Sequence, residues 1–108
     1  MIPQNRRIGK RLIEQVIKDG KSLYSPYLTL KILPTEGPSL WGFVVSKKVS
    51  KKAVERNFIK RRARYIVRKN INKLADGYLY VMIFKPEARH LTFNELEQEV
   101  VKLLPINK

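Results

Sequence analysis

LWGFVVSKKVSKKAVERNFIKRRARYIVRKN (Leu40–Asn70) changes its hydrophobic rhythm once, and that change decides the fold. Its opening, Leu40–Ser46, is rich in β-branched and aromatic residues with a single Gly, which is strand composition. From Lys51 to Asn70 the apolar residues Ile59, Ala63, Ile66 and Val67 recur at helical spacing instead. At the advance of an α-helix these four share an arc of about 100°, while Asn57, Lys60, Arg61, Arg64 and Arg68 fill a separate arc of about 100°. The stretch therefore predicts a strand, a Lys-rich loop, and a helix with one core face and one cationic face.

Upstream, YLTLKIL (Tyr27–Leu33) alternates with period 2, placing Leu28, Leu30 and Ile32 on one face. The turn residues TEGPS that follow predict that Leu40–Ser46 pairs antiparallel with it. Earlier still, Gly9–Asp19 reads as a helix with Leu12, Ile13, Val16 and Ile17 apolar, and Gly20 suits the position after its end. A short extra strand fits Lys21–Leu23. Downstream, YLYVMIF (Tyr78–Phe84) is apolar on both sides and predicts a central strand. LTFNELEQEVVKLL (Leu91–Leu104) opens with Thr92 and Glu95 at capping-box spacing and continues as an amphipathic helix.

These elements predict a small α+β (α/β) two-layer sandwich, with one sheet carrying its helices on a single face. Trp41 and Phe43 are expected in its core. No repeat, low-complexity tract or linker divides the 108 residues, so residues 1–108 read as one domain. A domain of this size buries roughly 65% of its unfolded surface.

The chain carries 23 Lys and Arg against 9 Asp and Glu, a formal charge of +14. Residues 47 to 69 hold eleven of those cations with Glu55 as the only acid, so +10 of the +14 lies in one segment. The segment from Thr92 to Lys108 is net −1, so the charge is a patch rather than a coating. A one-signed patch favours polyanions, nucleic acid before an acidic membrane surface. The alternative is a merely solvated basic face, but such helices interleave Glu with their cations. The helix's opposite face is committed to the core, which disfavours a membrane-surface role.

Other classes fit less well. No apolar run approaches the roughly 18 residues of a membrane span, and MIPQNRRIGKRL lacks the apolar segment of a secretory signal. With no Cys there is no disulfide framework, thiol nucleophile or zinc-thiolate site; a cytoplasmic location is the simplest expectation. The single His90 falls in an expected loop, and there is no Asp-x-Asp or His pair. Glu95 and Glu99, one turn apart, read as an exposed helix face. No residue is assigned a catalytic or metal-binding role.

VSKKVSKKAVERNFIKRRAR (Val45–Arg64) resembles the signature of the protein subunit of bacterial ribonuclease P. Lys47 and Lys48 match the end of that family's strand. Arg56 and Asn57 match the first two positions of its Arg-Asn-Arg motif, Ile59, Lys60 and Arg61 the next triplet, and Arg64 the later Arg. VIKDGKS (Val16–Ser22), LWGFVVSKK (Leu40–Lys48) and IFKPEARHLTFNEL (Ile83–Leu96) resemble the flanking family segments, so the likeness runs through almost the whole chain. Three positions depart. Phe58 stands where the family has the third motif residue, Arg. Tyr65 follows the later Arg where an acid or amide is common, and Ile13 and Ile17 replace aromatics usual on the first helix.

The resemblance implies a single mixed sheet of about four strands and three helices, in α-β-β-(β)-α-β-α order. It also implies a left-handed β-α-β crossover in the manner of ribosomal protein S5 domain 2-like folds. It implies a non-catalytic RNA-binding cofactor of the ribonucleoprotein that removes the 5′ leader of precursor tRNA. In that family the RNA and its Mg²⁺ ions perform the chemistry. The partners implied are the catalytic RNA and the precursor's leader, with no membrane or DNA. Lys47, Lys48, Lys51, Lys52, Arg56, Asn57, Lys60, Arg61, Arg64 and Arg68 would contact the catalytic RNA, as rigid arrays of cations suit phosphate. Ile13, Ile17, Thr29, Lys31, Val44 and Ser46 would line the leader groove on the uncovered sheet face, ordinary packing being the alternative for several of them. The competing reading is a basic structural RNA-binding protein of ribosomal type, without a processing role.

Overall fold

A computed structural model describes residues 8–74 and 76–104. The N-terminal run ahead of Ile8, the Pro105 turn and Lys108 lie outside the described residues. The elements are α1 (Lys10–Asp19), β1 (Lys21–Tyr24), β2 (Leu28–Pro34), β3 (Leu40–Val44), α2 (Ala53–Asn70), β4 (Tyr78–Phe84) and α3 (Phe93–Leu103). Short 3-10 turns cover Ile71–Lys73 and Pro86–His90. Three helices and a four-stranded mixed sheet are the expected α+β set, and the extra strand exists as β1.

The sheet order is β1-β2-β4-β3. β4 pairs antiparallel with β2 (Leu30 opposite Met82) and parallel with β3 (Phe43 opposite Met82). The expected antiparallel pairing of β2 with β3 is thus corrected: β4 lies between them. Its apolar character on both sides explains the insertion, since Leu79, Tyr80, Val81 and Met82 are all buried. The TEGPS link closes no hairpin. Its polar groups bond instead to the residues that lead into β4. Thr35 donates its N–H to the Gly77 carbonyl (2.9 Å), Ser39 donates its N–H to the Asp76 carboxylate (2.8 Å), and Tyr78 donates its N–H to the Ser39 hydroxyl (3.1 Å).

On one sheet face Leu28, Leu30, Trp41, Phe43, Tyr80, Met82 and Phe84 pack under Ile59, Ala63, Ile66 and Val67 of α2 and Leu96 and Val100 of α3. Trp41 stacks on Tyr80 with centroids 4.0 Å apart and planes at 13°. Each buried aliphatic side chain here contributes roughly 1.5–3 kcal/mol. Thr92 and Glu95 form the expected capping box at the start of α3.

The expectation that every helix shares one face is corrected by α1, which packs on the other. Val16 and Ile8 join Leu79 and Val81 there, with Ile13 against them. The second apolar face of β4 needs cover, and Gly42 makes the approach possible, because a Cβ at that position would run into Ile8 and Ile13. Gly20 also works through its small size. Its backbone is extended (φ −76°, ψ 155°), its N–H bonds the Val16 carbonyl at 2.7 Å, and a Cβ would crowd the Val16 and Ile32 carbonyls.

Candidate nucleic-acid interface

Past Val44 the chain turns through a tightly braced loop. The Ser46 carbonyl accepts the Val49 N–H (3.0 Å) and the Ser46 hydroxyl accepts the Lys48 N–H (3.3 Å). Val49 and Ser50 are buried and anchor the backbone. The Ser50 hydroxyl accepts the Lys52 N–H and donates to the Glu55 carboxylate, while the Ser50 carbonyl accepts from the Arg56 guanidinium at 2.9 Å. The Glu55 carboxyl is held below its ordinary range chiefly by the Ser50 hydroxyl; burial opposes this, and the charges of Arg89 and Lys52 assist it. The segment's one acid is thus an internal brace. With the backbone pinned, Lys47, Lys48, Lys51 and Lys52 are all exposed, and with Arg89 they line an open depression of about 310 Å³.

α2 starts at Ala53, so Lys51 and Lys52 precede it rather than forming its first turn. Asn57, Arg61 and Arg68 are exposed and Lys60 is half-buried. Arg64 is half-buried with its guanidinium 5.8 Å from the Phe43 ring centroid, and Arg56 serves the Ser50 brace as well as the surface. Ion pairs join Lys69 to Glu97 (3.1 Å), Arg89 to Glu55 (3.4 Å) and Lys102 to Glu99 (2.8 Å). None involves Lys47, Lys48, Lys51, Lys52, Lys60, Arg61 or Arg68. Seven cations on a braced loop and one helix are therefore open to an external anion.

The opposite sheet face carries the second set. Register places Thr29 beside Tyr24 and Ile83, Lys31 beside Ser22 and Val81, and Val44 beside Ile83. α1 roofs the part of this face near Leu79, with Ile13 half-buried against it and Ile17, one turn on, 38% exposed. On the rest of the face Thr29 is buried, and Val44, Ile83 and Lys31 are half-buried. Ser46 stands apart: β3 has ended, and its hydroxyl and carbonyl serve the Lys loop.

Against known proteins, the sequence model of the family described as Ribonuclease P matches residues 2–106. The chain is 35% identical to the ribonuclease P protein component of Microcystis aeruginosa over 95% of this chain and 91% of that protein. It is 37% identical to that of Nitratiruptor over 88% and 84%. The chain belongs to the bacterial ribonuclease P protein family. Among solved structures, the ribonuclease P protein from Thermotoga maritima superposes with a TM-score of 0.82 at 28% identity, covering 91% of this chain and 94% of that one. One from Staphylococcus aureus, at 21% identity and a TM-score of 0.84, shares the fold.

Within the ribonuclease P protein frame, Phe58 is 45% exposed and lies away from the Lys60 and Arg64 arc, with the Arg62 guanidinium 4.1 Å from its ring centroid. Two site neighbours escaped the sequence reading. Arg89 joins the Lys loop only through the fold, and nothing local marks it. Tyr24, 70% exposed beside Thr29, follows from the register of β1, which a four-residue strand does not reveal. No helix of the described residues is long and apolar enough to cross a membrane.

Proposed function

We propose that this ribonuclease P protein binds the catalytic RNA through Lys47, Lys48, Lys51, Lys52, Asn57, Lys60, Arg61, Arg64 and Arg68, with Arg56 bracing the array. We propose further that it holds the 5′ leader of precursor tRNA in the trough of Ile13, Ile17, Thr29, Lys31 and Val44. The observation that carries the reading is a set of seven cations, none of them in the ion pairs Lys69–Glu97, Arg89–Glu55 and Lys102–Glu99, presented by a braced loop and a rigid helix. Such an array exchanges condensed counterions for phosphates and reads no base sequence. The trough, with Lys31 and exposed Tyr24 beside apolar residues, suits a single strand tracked by charge and stacking.

In this proposal the RNA performs the cleavage. Among the described residues no group of three or more His, Asp or Glu is placed to hold a metal ion, and the cationic surface repels divalent cations. In this proposal Mg²⁺ is held by the RNA, and the protein acts by reducing repulsion between two RNAs and so strengthening that binding. The place of action is the cytoplasm, where precursor tRNA is made.

The test is cleavage of precursor tRNA at low Mg²⁺ by a bacterial ribonuclease P RNA, with and without the protein, plus a control lacking RNA. The protein is expected to rescue RNA-dependent cleavage. Lys60→Ala/Arg61→Ala is expected to rescue poorly, with the salt slope of RNA binding falling by about one unit per lost phosphate contact. Binding without rescue would instead favour a basic structural RNA-binding protein, and cleavage without RNA would overturn the division of labour. Lys31→Ala should weaken binding of long-leader precursors more than of mature tRNA; equal losses would remove the leader from the trough.

A further inference from the structure

α2 has a third flank that neither the core nor the cationic arc uses. Val54, Phe58 and Tyr65 stand on it, 80%, 45% and 53% exposed. The Arg62 guanidinium lies 4.1 Å from the Phe58 ring centroid and 5.8 Å from that of Phe93, and the Phe93 and Tyr65 rings sit 5.7 Å apart. Beside this ladder a cleft of about 300 Å³ opens between α2, the Pro86–His90 turn and α3, walled by Val54, Ala88, Leu91 and Leu96. That volume is at the lower end of small-ligand sites, about 300–1,000 Å³. Its rim carries Arg62 and Arg89 against one carboxylate, Glu55, already taken by Ser50 and Arg89.

Apolar walls, an exposed ring under a guanidinium, and a cationic rim together match the parts of one nucleotide. A purely apolar partner would force the Arg62 guanidinium, which forms none of the ion pairs above, out of water without an anion, whereas Arg89 already has Glu55. A nucleotide offers a flat ring to the cleft and a phosphate to the rim. The cleft also adjoins the Lys loop, because Arg89 lines both.

We propose that the cleft seats one unpaired nucleobase of the bound catalytic RNA, stacked on Phe58 and Arg62 with its phosphate at Arg89. This rests on the RNA-binding reading above and adds base stacking to an interface otherwise made of phosphate contacts. Phe58, which departs from the family's Arg, then exchanges a charge contact for a ring contact.

The chain's one Trp, Trp41, is 2% exposed and stacked on Tyr80, so Phe58→Trp installs the only surface indole. Titrating this variant with a bacterial ribonuclease P RNA should quench its emission in step with binding. Phe58→Ala should raise the Kd roughly 5- to 100-fold, as for loss of one stacked base. The salt slope should stay unchanged, because stacking releases no counterions. Phe58→Tyr and Phe58→Trp should bind close to wild type. Wild-type affinity in Phe58→Ala, or emission of Phe58→Trp unmoved by saturating RNA, would overturn the site. Emission that changes with protein concentration alone would overturn it too, in favour of a second copy of the chain. Quenching without rescue of cleavage would sustain the stacking site while sinking the cofactor reading; rescue without quenching would do the reverse.

Discussion

The two faces of the sheet are built to different ends. Among the described residues, the face under α2 and α3 contributes to a core of 17 buried residues, whereas the face under α1 belongs to a cluster of 4. Stability is therefore concentrated on one side, and the other side is more thinly packed. The same economy appears within α2. Its inner face is apolar and fixed, so its outer cations are held at set spacing by the helix itself.

The largest expected effect probes the thick face. Trp41→Ala removes the ring stacked on Tyr80 and should cost about 3–5 kcal/mol in urea unfolding. A loss below about 1 kcal/mol would mean the stack is not central to the core. Gly42→Ala probes the thin face: its methyl meets Ile8 and Ile13, so α1 should lift from the sheet at about 1–3 kcal/mol. Discrimination between long-leader precursor and mature tRNA should fall with it, while the salt slope of RNA binding stays put. A slope that moved would show the two surfaces to be one. The smallest effect is alkaline. Burial pushes the Tyr80 phenol up to about 12, with Tyr78 and Asp76 adding to the rise and the Ser39 hydroxyl opposing it. The folded value lies above the ordinary 10, so its stabilisation is complete below pH 10 and is lost as pH rises through about 12. Tyr80→Phe should flatten that limb of a pH–stability curve; an unchanged limb would mean water reaches the ring.

Much of this was legible because the signals were local. The helical recurrence of Ile59, Ala63, Ile66 and Val67 fixed the inner face of α2, and Thr92 with Glu95 marked the start of α3. β4 was legible as central from its two apolar sides. What was not legible depended on long-range partners. The turn residues after β2 suggested a hairpin, because a local pattern does not reveal that a strand 40 residues later will enter the gap. Likewise α1 is amphipathic, but amphipathicity names a buried side and not the sheet face that buries it. Ser46 lies two residues beyond the end of β3, where strand alternation read from the sequence no longer applies. Arg89 joins the Lys loop through tertiary structure alone.

The position of β4 also bears on how the chain is born. β4 is the only strand bonded to both β2 and β3, yet it is made after them. While a ribosome is still translating residues 40 to 77, β3 has no sheet partner and the apolar side of α2 can cover only the unjoined strands β2 and β3. The basic helix is thus complete before the sheet that fixes it. Closure of the sheet waits for Tyr78–Phe84 to clear the exit tunnel, so a stall within those seven residues would leave a polycation attached to an unassembled core.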